Sequence, residues 1–149
     1  MRTWFKPDGT EASDGEVTRS ITRDGCEVFV GTDSHLVGGN WIIATVIVSY
    51  MPGAGGAFFF SRQAHKRSRF PDMATRLLFE VTESVDVATW VQTLTGTSPT
   101  VHADLNRDES NKSAKVLSSA VSYVRGMGFE CVTKPDAWAS TSIADKKAR

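Results

Sequence analysis

The feature that most limits the fold is an apolar, β-branched run in the first half of the chain. Residues 41–50 read WIIATVIVSY, which predicts the central strand of a sheet. Residues 26–36 and 57–62 are strand candidates on either side of it. The glycine-containing segment 37–40 predicts a hairpin loop and residues 52–56 break the chain, so we expect three antiparallel strands.

After Pro71 and Asp72, which suit a helix start, the apolar period becomes helical. The first helix is predicted to run to about Leu94, with an apolar face formed by Met73, Leu77, Val81, Val85 and Ala88. Further along we expect a strand at 100–106, a helix capped by Ser110 or Asn111 and stopped at Gly126, a strand at 129–133 and a helix at 137–149.

The predicted order is βββαβαβα, an α/β fold with a five-stranded mixed sheet of three antiparallel and two parallel strands. A strand that follows a helix in this way implies a right-handed crossover, so the fourth strand should run parallel to an earlier one. If its neighbour is the first strand, Asp33 and Asp104 lie side by side at matching strand ends.

The chain of 149 residues is expected to form one domain at 25–149, on which the polar, turn-rich residues 1–24 pack as an extension. It has no apolar run of ~18 residues and no signal-like segment, which predicts a soluble, cytoplasmic protein without a membrane span. Cys26 and Cys131 lack the spacing of a zinc site or a disulfide framework.

Seventeen basic and 17 acidic residues cancel, so net charge predicts no partner and any nucleic-acid footprint must be local. The cationic cluster of note outside the C-terminal tail lies at residues 62–69. Its basic members are Arg62, His65, Lys66, Arg67 and Arg69. Two interpretations stay open, a solvated loop and a rim that contacts phosphates.

Four acids fall on elements that this topology could bring to one edge of the sheet: Asp33, Glu80, Asp104 and Asp145. Clustered carboxylates repel one another unless a cation lies between them, and Mg²⁺ or Mn²⁺ prefers oxygen ligands. Two such ions ~3.5–4 Å apart activate a water and stabilise the leaving oxygen of a phosphodiester. Taken singly, each acid also suits a turn, a helix flank or the surface.

The first predicted helix carries two candidate glutamates. At ~100° per residue, Glu80 projects about 60° from the centre of the apolar face and Glu83 about 120°. Glu80 is therefore expected to lean toward the sheet and Glu83 toward solvent. Glu80 is the better site candidate, with Glu83 as its competitor.

The element order and four short motifs resemble the ribonuclease H-like superfamily, and within it the YkuK-type family of bacterial and phage proteins. The motifs are Gly31-Thr32-Asp33-Ser34, His102-Ala103-Asp104, Asn111-Lys112-Ser113 and Lys134-Pro135-Asp136-Ala137. The resemblance covers nearly all of residues 26–149. It implies a metal-dependent phosphodiester hydrolase that uses two Mg²⁺ or Mn²⁺ ions on RNA, DNA or a hybrid.

The same resemblance implies roles for individual residues. Asp33 and Asp104 correspond to the two strand carboxylates, Glu80 to the helix acid, and Asp145 to the last acid, for which Asp136 is a substitute. The residues expected to contact substrate are Ser34, His102, Lys112, Lys134, Arg62, Lys66 and Arg67. For His102 a core position is the alternative, because a lone histidine on a strand is more often a packed residue.

Two further functions stay open at this point. The ribonuclease H-like fold also hosts noncatalytic modules that bind nucleic acid or protein, so fold alone does not establish cleavage. A phosphotransferase of the actin-like ATPase group shares the core of the fold but normally needs two such domains, and this chain has room for one.

Overall fold

The computed structural model describes residues 2–105 and 111–149, without the side chains of residues 111–115. Its strands in chain order are β1 (Trp4–Phe5), β2 (Glu11–Ala12), β3 (Glu27–Val37), β4 (Asn40–Met51), β5 (Gly55–Lys66), β6 (Thr100–Ala103) and β7 (Cys131–Val132). The α-helices are α1 (Asp14–Ile21), α2 (Met73–Thr95), α3 (Asn111–Gly126) and α4 (Asp145–Ala148). A 3₁₀ turn at Arg67–Arg69 precedes α2, and a π-helix at Ala139–Ala144 runs directly into α4.

Within the described residues the sheet has seven strands in the order β2-β1-β5-β4-β3-β6-β7, so the predicted count of five is wrong. The two additional strands are residue pairs in the N-terminal segment, where β1 pairs antiparallel with both β2 and β5. Two residues are too few to show an alternating pattern, and for this reason the sequence did not reveal them. The predicted antiparallel set β3–β4–β5 and the parallel pairs β3–β6 and β6–β7 are confirmed.

Residues 2–24 contribute to the core as well as to the sheet. Trp4 is 2% exposed and its ring stacks on Trp90 of α2 at 6.0 Å between centroids. Helix α1 begins with a capping box in which Ser13 and Glu16 bond each other's backbone, and it buries Val17 and Ile21. The N-terminal segment thereby covers one end of α2.

Strand register places the predicted acids. In the parallel pair β3–β6, Thr32 is opposite Ala103, so Asp33 and Asp104 are the next residues along two neighbouring strands. In the antiparallel pairs, Asp33 is opposite Ala44 and Ala44 is opposite Arg62. Residues that face each other in a sheet share a face, and strands lie ~4.8 Å apart. Arg62 therefore stands about 10 Å from Asp33 on the same face of the sheet.

The two faces of the sheet are covered differently. Helix α2 and Val124 of α3 contribute to the larger core cluster, together with Val30 and Val101 of the sheet. The π-helix and α4 pack on the other face against Val46 and Phe60. There the chain approaches β3 so closely that a Cβ on Gly31 would lie 2.6 Å from the backbone nitrogen of Ser140.

Several predicted boundaries shift. Strand β5 runs to Lys66, so Arg62, His65 and Lys66 lie on a strand, and of the two interpretations left open for this segment the loop does not apply to these three residues. Met73 is 46% exposed and does not belong to the apolar face of α2. The last predicted helix starts as a π-helix, and Asn106 and Ser110 lie outside the described residues. Of the helices described, none is both long and apolar enough to span a membrane.

Candidate metal centre

Asp33 lies at the centre of the group of acids. It sits on β3 and is 7% exposed, and Asp104 follows the neighbouring strand β6 at the matching position. Burial, followed by the neighbouring charges of Glu80 and Asp104, raises the pKa of Asp33 to about 9. Without a cation, Asp33 therefore keeps its proton at neutral pH.

Glu80 flanks Asp33 from the α2 face. It is 4% exposed, and its Oε2 accepts a 2.6 Å hydrogen bond from Oγ of Ser34. Burial raises the pKa of Glu80 to about 7, although the Ser34 hydrogen bond and the nearby Arg76 guanidinium oppose the rise. The predicted lean of Glu80 toward the sheet is confirmed.

The predicted exposure of Glu83 is wrong. Its residue exposure is 9%, its carboxylate forms an ion pair with Arg2, and Oε2 accepts a 2.9 Å hydrogen bond from Nε2 of Gln63. The N-terminal segment and β5 cover this side of α2, and neither contact shows in the helical period. The carboxylate of Glu83 is thus committed to a separate polar cluster one turn away from Glu80.

Asp145 flanks Asp33 from the opposite face. Its Oδ1 lies 2.5 Å from Nε2 of His35, and its Oδ2 lies 3.2 Å from Nη2 of Arg149. Burial acts to raise the pKa of Asp145, but hydrogen bonds with His35 and Asp33 outweigh it and hold this pKa below its usual value. On this face the acid is kept charged.

His35 is a site residue that sequence reasoning missed. Ligand atoms of Asp33, His35 and Asp145 all lie within 4.8 Å of one another, the one such triad found among the described residues. The sequence position of His35 could have indicated it, because residues i and i+2 of a strand project from the same face and His35 is two residues after Asp33. Ser34, between them, points the other way to Glu80.

These donors suit a divalent cation. Two carboxylates and an imidazole nitrogen match Mn²⁺, and the neighbouring carboxylates of Glu80 and Asp104 add the oxygen ligands that Mg²⁺ prefers. The raised pKa of Asp33 supports the fit, since a cation would offset the burial and the neighbouring negative charges that together favour the protonated carboxyl. The residues present are therefore compatible with a metal centre around Asp33.

The predicted alternatives and substrate contacts lie around this centre. Asp136 is exposed in the turn after β7, outside the triad. Nζ of Lys134 lies 2.7 Å from Oδ1 of Asp104, so this lysine borders the acids.

Arg62 is exposed and donates from Nη2 to the backbone oxygen of Arg149 at 3.4 Å. Lys66 and Arg67 are exposed at the far end of β5. The side chain of Lys112 lies outside the described residues.

His102 occupies the core position that was its alternative. It is 2% exposed and packs against Phe29 and Trp138 at 5.1 and 4.9 Å between ring centroids. Its Nδ1 accepts a 3.1 Å hydrogen bond from the backbone N–H of Ala139, and burial lowers the pKa of His102 to about 4. A neutral imidazole thus anchors the start of the π-helix to β6.

Comparison with known families agrees with this arrangement. A family model described as ribonuclease H-like matches residues 15–149. Comparisons with curated proteins and with solved structures gave no significant match. The family match covers most of the chain, including β3, α2, β6 and α4 with their acids. The chain belongs to the ribonuclease H-like family.

Proposed function

We propose that the protein is a nuclease, a metal-dependent phosphodiester hydrolase that acts on RNA, DNA or a hybrid. The observation that carries this proposal is the placement of Asp33 between acids on both faces of the sheet, with ligand atoms of Asp33, His35 and Asp145 within 4.8 Å of one another. Family membership supports it. The GTDS, H-x-D and KPDA motifs further favour the YkuK-type group within the family.

The proposed ligands divide by position. Asp33 and Asp104 would supply the ligands from the strands, Glu80 would add a ligand from α2, and Asp145 with His35 would complete the set on the other face. Two Mg²⁺ or Mn²⁺ ions bound there would activate a water and stabilise the departing oxygen of a phosphodiester. The chain's own contribution is to fix these donors: Ser34 orients Glu80, and Arg149 helps to hold Asp145.

Cations beside the acids would bind the backbone of the substrate. Lys134 borders Asp104, and Arg62 lies on the same face as Asp33, about two strand spacings (~10 Å) away. Lys66 and Arg67 extend this line toward the end of β5. Phosphate contacts of this kind position a strand without reading its bases, which is consistent with a substrate recognised by its backbone. Lys112 is proposed to join them on the family resemblance alone.

The test is a cleavage assay on labelled single-stranded, duplex and hybrid RNA and DNA, with Mn²⁺, Mg²⁺ or EDTA. The Asp33→Asn protein is run in parallel, and so is Glu83→Gln, whose carboxylate lies outside the centre. Cleavage that requires both metal and Asp33 but not Glu83 would establish the activity. Absence of cleavage, together with no thermal stabilisation by Mn²⁺, would overturn it in favour of a noncatalytic binding module.

A further inference from the structure

Arg76 is a cation beside the acids that neither the motifs nor the proposed ligand set includes. It lies one helical turn before Glu80 on α2, and its Nε is 3.6 Å from Oε2 of Glu80. Its guanidinium carbon lies 3.9 Å from the centroid of the Trp41 ring. The Arg76 side chain as a whole is 20% exposed, whereas that of Glu80 is 5% exposed.

The contact between Arg76 and Glu80 is loose. Glu80 Oε2 is bonded closely to Ser34, at 2.6 Å, whereas the Arg76 Nε is too far away for a hydrogen bond. That Nε is buried and has no hydrogen-bond partner among the described residues. A buried donor without a partner is costly, and a guanidinium has five N–H donors arranged to match a carboxylate or phosphate.

Trp41 fixes where the guanidinium lies. The indole is on β4, opposite Leu36 of β3 and His65 of β5, and so occupies the α2 face just beyond Ser34 and Glu80. Stacking on an aromatic face restrains the guanidinium plane while leaving its N–H edge available. Trp41 of β4 therefore holds the guanidinium of Arg76, a residue of α2, as a hydrogen-bond donor beside the acids.

We propose that Arg76 binds a substrate phosphate and that Glu80 controls its availability, an inference that rests on the proposed nuclease function. In the metal-free protein the charge of Glu80 retains Arg76. A cation that engages Glu80 removes this attraction, and Arg76 then offers its donors to a phosphate. Cation binding and phosphate binding thereby become coupled through one shared carboxylate, and the coupling must be reciprocal.

The test measures oligonucleotide affinity, not cleavage. Binding of a fluorescent oligonucleotide is titrated in Ca²⁺ and in EDTA for wild type, Arg76→Gln, Glu80→Gln and the double variant, with the oligonucleotide checked for integrity afterwards. Arg76→Gln should weaken binding about fivefold or more in Ca²⁺ but less than about twofold in EDTA. In Ca²⁺ it should also reduce the slope of log K against log[salt] by about 0.7–0.9, the loss of one phosphate contact.

The Glu80→Gln background removes the need for metal. With Glu80 neutral, Arg76 is available without a cation, so Arg76→Gln should cost about fivefold in EDTA in this background. Arg69→Gln is the matched control, because Arg69 also lies over an aromatic ring, Phe79 at 5.0 Å, yet forms no ion pair within the described part of the chain. Its effect should be the same in Ca²⁺ and in EDTA.

The outcomes separate the two proposals. If wild type binds the oligonucleotide and cleaves it with Mn²⁺, but Arg76→Gln costs the same under all conditions, the coupling is overturned and the nuclease stands. If wild type binds no oligonucleotide and Mn²⁺ does not raise its melting temperature, both proposals fail. Melting curves in EDTA check that each variant is folded.

Discussion

Two faces of one strand hold the acids next to Asp33 in opposite ways. On the α2 face, Glu80 is buried with a hydroxyl as its close partner, and its pKa is raised to about 7. On the opposite face, Asp145 lies against His35 and Arg149, and its pKa is lowered. Two consecutive residues of β3 make these contacts: Ser34 donates a hydrogen bond to Glu80, and His35 contacts Asp145. Burial therefore determines the direction of the pKa shift of Glu80, and hydrogen-bond partners determine that of Asp145, although both acids are neighbours of Asp33.

The difference indicates how a cation would be received. Asp145 is already charged and is ready to serve as a ligand, whereas Asp33 must lose a proton that burial favours, and Glu80, with a pKa of about 7, is only partly protonated at neutral pH. Metal binding should therefore release protons mainly from the Asp33 and Glu80 side.

The largest expected effect comes from removing the residue that both faces share. Asp33→Asn should lower metal-dependent cleavage by about a thousandfold or more, because several kcal/mol of transition-state stabilisation depend on the ions. The same change removes the free-energy cost of keeping a buried carboxyl protonated at pH 8, so the metal-free protein should melt at a higher temperature at that pH. Cleavage rates and melting curves in EDTA check the two effects, and a variant that cleaves at the normal rate removes Asp33 from the site.

The second-largest effect is expected from a substitution that disturbs only the face of the sheet on which the π-helix packs. Gly31→Ala would place a Cβ 2.6 Å from the nitrogen of Ser140 and 2.8 Å from the carbonyl carbon of Ala139. Moving the π-helix away from β3 should cost about 2–3 kcal/mol in the free energy of unfolding and weaken Mn²⁺ binding through Asp145. Urea unfolding and calorimetry measure these changes. Gly39→Ala is the control, since no atom lies within 4 Å of its Cβ position, and equal destabilisation by both would contradict the close-packing argument.

The stability of the metal-free protein should depend on pH. In the folded state the pKa of Asp33 is raised from 3.8 to about 9 and that of Glu80 from 4.5 to about 7, so the folded protein binds more protons than the unfolded chain. Stability from this source is fully present below about pH 4 and is lost as pH rises to about 9. Between pH 5 and 8 the two shifts together should lower the free energy of unfolding by several kcal/mol, measured by urea unfolding in EDTA. Asp33→Asn should make the free energy of unfolding depend less on pH. A wild-type stability that rises with pH over this range would contradict the prediction.

A matched pair of substitutions on β3 compares the faces directly. His35→Ala removes the partner that orients Asp145 and a candidate ligand, and should weaken Mn²⁺ binding about tenfold or more. Ser34→Ala removes one hydrogen bond to Glu80 and should weaken Mn²⁺ binding about threefold. Calorimetric titration with Mn²⁺ gives both values. Equal effects would show that the two faces contribute alike.

The smallest effect is expected one turn beyond the centre. Glu83→Gln breaks the ion pair with Arg2, which is partly exposed, and should cost about 1 kcal/mol or less in stability. Mn²⁺ affinity should stay within about twofold of wild type, because Glu83 bonds Arg2 and Gln63 away from Asp33. A tenfold loss would bring Glu83 back as a ligand.

The sequence predicted the α2 side of the site better than the other side. A long helix with a regular period gives the direction of Glu80, and the crossover rule gives the neighbourhood of Asp33 and Asp104. The direction of Glu83 could not be predicted, because the period does not show that Arg2 and Gln63 approach from distant segments. The π-helix was missed because its geometry depends on packing against β3 at Gly31, and His35 was missed because its partner, Asp145, comes from the distant segment that follows the π-helix.

The pairing of each acid has a kinetic consequence. Asp104 faces Lys134, Asp145 faces His35 and Arg149, Glu80 faces Arg76, and Asp33 carries a proton. Among the described residues, the acids of the metal-free site are therefore largely neutralised, and they should repel an approaching polyanion only weakly. The rate of first encounter would be governed by the exposed cations Arg62, Lys66 and Arg67, and it should fall with ionic strength even before any metal is bound.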